Sequence, residues 1–134
     1  MIDLSRALVT YLRADSILAR KLGSFMGHPA VFASSPVPEQ ATTPFIVTQA
    51  ITDVTLDAKA NVVREITQDI AIYGDDDRNA AEIEDIAEYI REKMRATFSV
   101  PDWTMSVLHI NGPTLNDVDD LHGRVLTARI ILDR

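Results

Sequence analysis

The chain has 134 residues, no cysteine and a formal net charge of −7, so a single domain is expected, long enough to bury roughly two thirds of its unfolded surface. The missing cysteines remove disulfides, thiolate metal sites and cysteine nucleophiles, which suits a cytoplasmic origin, and the acidic balance argues against a nucleic-acid reader that must displace counterions from phosphate. No apolar run approaches the ~20 residues that cross a bilayer, and the opening MIDLSRALVTYLRAD interleaves charges with apolar residues, unlike a signal peptide, so a soluble protein without a membrane partner is expected.

Asp3 or Ser5 is positioned to cap a first helix whose Leu4, Ala7, Leu8, Tyr11 and Leu12 share one stripe at 3.6-residue spacing. The stripe breaks at Asp15. Asp15 or Ser16 restarts a short helical stretch with Ile17, Leu18 and Leu22, and Gly23 is expected to stop it in the left-handed conformation. Pro29, Pro36, Pro38 and Pro44 then exclude a long helix, with a short edge strand expected at Ala30 to Ala33.

From Phe45 the pattern has period two, with Phe45, Val47, Gln49 and Ile51 on one face and Ile46, Thr48 and Ala50 on the other. A second strand sets Ile66, Ile70 and Ile72 against Glu65, Thr67, Asp69 and Tyr73. The two are expected to form a hairpin. Its connection around Leu56 to Val63 has no tight Asn-Gly turn, which predicts a long arm, a loop from Val54 to Val63.

The acidic cluster Asp75, Asp76, Asp77 opens a helix whose Ala80, Ile83, Ile86, Ala87, Ile90 and Met94 form a continuous apolar stripe. Its Arg91, Lys93 and Arg95 lie among Glu88 and Glu92 at i,i+3 and i,i+4 spacing, the pattern of an ion-paired solvated face. Trp103 to Ile110 reads as a strand and Asn111-Gly112-Pro113 through Asp120 as a loop. Gly123 to Leu132 is a final strand with Leu126, Ala128, Ile130 and Leu132 alternating with Val125, Thr127, Arg129 and Ile131.

Two helices for four or five strands predict an α+β two-layer sandwich: a mixed, mainly antiparallel sheet with both helices on one face and a long hairpin arm. On the other face Ile46, Ala50, Tyr73, Val125 and Ile131 are expected to add apolar surface, which favours self-association or partial cover by the Pro-rich segment.

Chemical equipment is sparse. Asp75, Asp77 and Asn79 imitate the start of an EF-hand loop, but Ala80 stands where the turn needs glycine and Ile86 where a bidentate Glu is needed. Carboxylates at the positive end of a helix account for this cluster. Asp117, Asp119, Asp120 and His122 form a second acidic group with a single His, the composition of a surface turn. His28 and His109 are isolated, and Ser5, Ser16, Ser34 and Ser35 lack a G-x-S-x-G setting or a His-Asp pairing. Trp103 has no basic neighbours in sequence, so it reads as a strand anchor. No catalytic residue, cofactor or metal ligand is assigned.

The stretches LSRALVTYLRADSILARKLG, PFIVTQ, Leu56-Asp57, ITQDIAIYGDDDRNAAEIEDIAEYIREKM and RVLTARIILD together resemble the tail-completion, or tail-terminator, family of long-tailed bacteriophages and gene transfer agents. The likeness spans nearly the whole chain and rests on apolar positions and element order, with Gln68, Asp69, Ala80, Ala81 and Ile86 as the closest matches. It implies a non-enzymatic virion subunit, made in the host bacterial cytoplasm, that forms a hexameric ring at the head-proximal end of the tail tube. Such a ring stops tube polymerisation and docks the head connector, while DNA passes through its lumen without specific binding. Val54, Leu56, Asp57, Val62, Val63, Tyr73, Asp117 and Asp119 are the expected contact residues with other copies, the tail tube protein or the connector. Two rival readings stand beside it: another neck or minor tail protein or non-phage adaptor on a similar fold, and a small metal-dependent enzyme built on the two acidic groups.

Overall fold

The period-two segments pair into one five-stranded sheet in a computed structural model of the chain, which describes residues 4–33, 37–57, 62–75, 80–96, 98–118 and 120–134, the side chain of Asp57 excepted. In chain order the elements are α1 (Leu4–Arg13), α2 (Ser16–Lys21), β1 (Ser24–Phe25), β2 (His28–Pro29), β3 (Val31–Phe32), β4 (Phe45–Asp57), β5 (Val62–Asp75), α3 (Ala80–Lys93), β6 (Thr104–Leu115) and β7 (Leu121–Asp133). The sheet order is β3-β4-β5-β7-β6. β3 runs parallel to β4 and every other pairing is antiparallel, while β1 and β2 form a separate small hairpin. This is the expected α+β sandwich. Among the described residues no helix is long and apolar enough to cross a membrane.

Both long helices pack on one sheet face. Leu4, Leu8 and Leu12 of α1 and Ile83, Ile86 and Ile90 of α3 are buried with Ile66, Ile70 and Ile72 of β5 and Leu126, Ala128, Ile130 and Leu132 of β7 in one core. Each large side chain so placed contributes about 1.5–3 kcal/mol relative to exposure. The sequence stripes of α1, α3, β5 and β7 therefore face where periodicity put them.

β4 does not follow its expected sidedness. Ile46, expected on the outer face, is fully buried in the core, and Ala50 lies opposite the buried Gln68 on the helix side. Phe45 and Val47 point outward instead. The reason is that both faces of this strand are apolar, so alternation does not distinguish them, and pairing with β5 decides the matter by setting Ile46 against Ile72. Tyr73, Val125 and Ile131 do lie half-buried on the outer side.

Three other expectations are corrected. β4 and β5 continue through Asp57 and from Val62, so most of the expected loop is paired ribbon. Asn111-Gly112-Pro113 is strand, because β6 absorbs one extra residue between Val107 and His109 and another between Asn111 and Thr114, with Gly112 at φ +101. Gly23 is not left-handed: a Cβ there would lie 2.0 Å from the Thr42 carbonyl oxygen, so close backbone approach is what demands glycine. Asp3 and the Asp76, Asp77 and Asn79 capping positions lie outside the described residues. Asp75 ends β5 and accepts from the Thr43 hydroxyl at 2.6 Å. Ser5 lies inside α1, and its hydroxyl receives Gln68 Nε2 at 2.9 Å, while the same amide donates to Thr48 at 2.8 Å. This buried polar chain ties α1 to the centre of the sheet.

Asp15 joins the helices to each other. One carboxylate oxygen caps α2 through the amides of Ile17 and Leu18, each at 2.9 Å, and the other receives the Tyr89 hydroxyl and the Lys93 ammonium, both at 2.8 Å. Lys93 also sits 4.1 Å above the Tyr11 ring, and the Tyr11 hydroxyl donates to the Lys93 carbonyl at 3.2 Å. Thus Lys93 serves the junction and Arg91 donates to the Gly112 carbonyl. Of the expected charged face only the exposed Arg95–Glu92 pair, 3.6 Å apart, is seen among the described residues.

Burial alone raises the Asp15 pKa, but the hydrogen bonds from Lys93, the Leu18 amide and Tyr89 outweigh it and hold the group at about 2 against an ordinary 3.8. The depressed value stabilises the fold above the ordinary pKa, and that contribution is lost as pH falls through about 2. Asp15→Asn is therefore expected to lower stability by about 1 to 3 kcal/mol near neutral pH, with the difference from the parent shrinking below pH ~4. Denaturant unfolding of both proteins across that range checks it; a pH-independent difference contradicts the assignment.

Candidate interaction surface

Among the described residues the distal β4–β5 ribbon carries the largest group of exposed apolar side chains. β3 pairs only with Ile46 and Val47, so among the described residues β4 from Thr48 onward has a neighbour on one side only. β5, in contrast, is backed by β7 along its whole length, Val63 lying opposite Asp133. A bulge between Ala50 and Thr52 shifts the register, after which Val54 faces Glu65 and Leu56 faces Val63 on the outer side. Ile51, Val54, Leu56 and Val62 are 52%, 50%, 45% and 39% exposed, a concentration unusual for strand residues with a core available. Asp53 and Arg64 lock the helix side of the ribbon with two hydrogen bonds of 3.0 and 2.7 Å. A ribbon fixed in this way is a preformed surface.

Beneath it lies a groove of about 820 Å³ between α1, the base of the ribbon and the segment 98–103. Tyr11, Phe98 and Trp103 line it together with Arg6, Arg64 and Arg134, while Asp102 is its one lining carboxylate among the described residues. Tyr11 stacks on Phe98 with ring centroids 4.8 Å apart, and the Arg134 guanidinium sits 4.8 Å over the Trp103 ring. Sequence reasoning misses this site. Its walls come from three distant segments, and the arginine beside Trp103 is supplied in space, not in sequence.

The expected contact residues divide among separate places. Val54, Leu56 and Val63 share the outer side of the ribbon, and Val62 points the other way into the groove. Tyr73 lies farther along the same outer face, packed on Phe45 at 5.6 Å and receiving Asn116 Nδ2 at 3.0 Å; burial, the largest influence, raises its pKa. Asp117 belongs to the β6–β7 turn at the far end of the strands, where it accepts from the Gly123 amide at 3.0 Å and lies 3.7 Å from Arg124. Asp119 and the Asp57 side chain lie outside the described residues.

The outer sheet face between these places is polar and tied together. Thr127 donates to Asp69 at 2.9 Å, and Arg129 pairs with Glu65. Among the described residues, no three His, Asp or Glu side chains come together as metal ligands. Ser34 and Ser35 lie outside the described residues, and His28 and His109 sit exposed on β2 and β6. The arrangement offers shape, apolar area and a local cationic patch on an acidic protein, which are the means of protein association.

The fold is shared with a chain of known structure, from the virion of a native gene transfer agent particle. The two superpose with a TM-score of 0.69 over 98% of this chain and 95% of the other, at 18% sequence identity. No protein-family model matches the chain, and no curated protein matches it.

The ribbon geometry yields a specific expectation. Val54→Lys, which sets a cation opposite Glu65, combined with Leu56→Thr should change monomer stability by about 1 kcal/mol or less, since both positions are solvent-facing. Self-association should fall at the same time. Thermal unfolding and light scattering on the same samples separate the two effects, and a large loss of stability contradicts a surface role.

Proposed function

We propose that this chain is a structural virion protein that closes into a hexameric ring at the head-proximal end of a long phage-like tail, ends polymerisation of the tail tube and presents the docking surface for the head connector. The observation that carries this reading is the fold likeness to the gene transfer agent virion chain, which covers almost the whole of both chains. The sequence likeness to tail terminators supports the head-proximal position in this reading.

Physical features of the chain support the reading. A ring buries open strand edges and apolar ribbon surface by rotation, without a second protein. The ribbon residues Val54, Leu56 and Val63 form the contact with the adjacent copy or the tail tube protein. The net charge of −7 disfavours adhesion of DNA sliding through the lumen. The protein has no catalytic role in this reading, needs no cofactor and resides in the neck of the particle after synthesis in the host cytoplasm.

Negative-stain imaging of the purified protein, alone and mixed with tail tube protein, tests the reading. Rings with a central hole that sit at one end of each tube are expected. A strict monomer that ignores the tube overturns it, and binding elsewhere on the particle moves the protein to another neck or minor tail role.

A further inference from the structure

The aromatic and cationic groove needs an occupant, and the chain carries one of matching chemistry. The turn between β6 and β7 presents Leu115 and Val118, 65% and 42% exposed, beside Asp117 and the exposed Asp120. Val118 and Leu121 exchange backbone hydrogen bonds at 3.1 and 2.8 Å. Apolar side chains flanked by carboxylates complement a groove with aromatic walls and the Arg134 guanidinium over Trp103.

Intramolecular docking is ruled out by the strands themselves. The groove lies where Thr104 pairs with Asp133, and the turn lies beyond Leu115 paired with Arg124. Those are opposite ends of a strand of 12 residues, separated by roughly 35–40 Å at the usual rise.

We infer that the groove between α1, the ribbon base and segment 98–103 is the receptor for the β6–β7 turn of a second copy of this chain. Val118 enters against Tyr11 and Trp103, and Asp120 faces Arg134. Groove and turn are different surfaces, so the contact is heterologous: each copy gives a turn to one neighbour and takes a turn from the other, and the series closes or extends according to its rotation. This deepens the ring reading and rests on it, because it names the joint between ring subunits.

The test uses two full-length variants that each break one half of the joint, Arg134→Glu for the groove and Val118→Asp for the turn. Both positions are at the surface, and thermal unfolding verifies that each variant folds. Sedimentation of the parent should show assemblies beyond the dimer, and each variant alone should associate at least tenfold more weakly, about the effect of losing one buried valine contact. Mixing the variants should then give a 1:1 heterodimer that grows no further, because one intact turn still meets one intact groove. Parent-like assembly by both variants overturns the turn-and-groove joint while leaving the ring reading standing. A parent that stays monomeric at every soluble concentration overturns the joint, and the ring reading falls with it when the same protein also ignores the tail tube.

Discussion

The Asp15 carboxylate sets the geometry on which the working surfaces depend. It lies just beyond α1, caps α2 and grips the last two turns of α3 through Tyr89 and Lys93. Because Lys93 also covers Tyr11, and Tyr11 stacks on Phe98, the same junction fixes one wall of the groove. A carboxylate drawn partly out of water is costly to place unless its lone pairs are used. Here the cost is offset by four donors, and the result is a fixed angle between two helices that share one sheet face.

The sandwich then divides labour between its sides. The helix face is consumed by the core, so exposed apolar side chains gather at the periphery: on the ribbon, at the groove at its base and on the turn at the far end of the strands. The outer sheet face is laced by Asp69 with Thr127 and Glu65 with Arg129, which keeps it polar without leaving bare charges. Surfaces at strand ends have a physical advantage. They are held by rigid elements, yet their side chains are free of any duty to the core.

How much of this is legible in the sequence follows from the range of the interactions involved. The stripes of α1 and α3 and the alternation of β5 and β7 are local, and each face contrasts sharply with its opposite, so periodicity locates them. The sidedness of β4 is not legible because Phe45 and Val47 are as apolar as Ile46, and the tie is broken by a partner strand more than twenty residues away. The ribbon reads as a loop because the segment lacks tight-turn chemistry, although its strands simply continue. The joint of Asp15 with Lys93 spans most of the chain, and the groove has no contiguous signal at all. Tyr73 and Asp117, though flagged from sequence, lie far from the ribbon, because chain order says nothing about which end of a strand pair a contact occupies.

The bulge after Ala50 has a consequence for how this kind of surface can change over generations. Before it, even-numbered residues of β4 face the helices; beyond it, odd-numbered ones do. Removal of Ile51 would erase the bulge and leave Val54 opposite Glu65 on the outer side, whereas gain of one residue between Thr52 and Val54, with the bulge in place, would set Val54 opposite Arg64 and turn it and Leu56 to the side above the groove. Substitutions alter this ribbon one side chain at a time, but an in-frame gain of one codon beyond the bulge exchanges its two sides at once. Which side chains such an element presents is thus quantised by register, and insertions are its large steps.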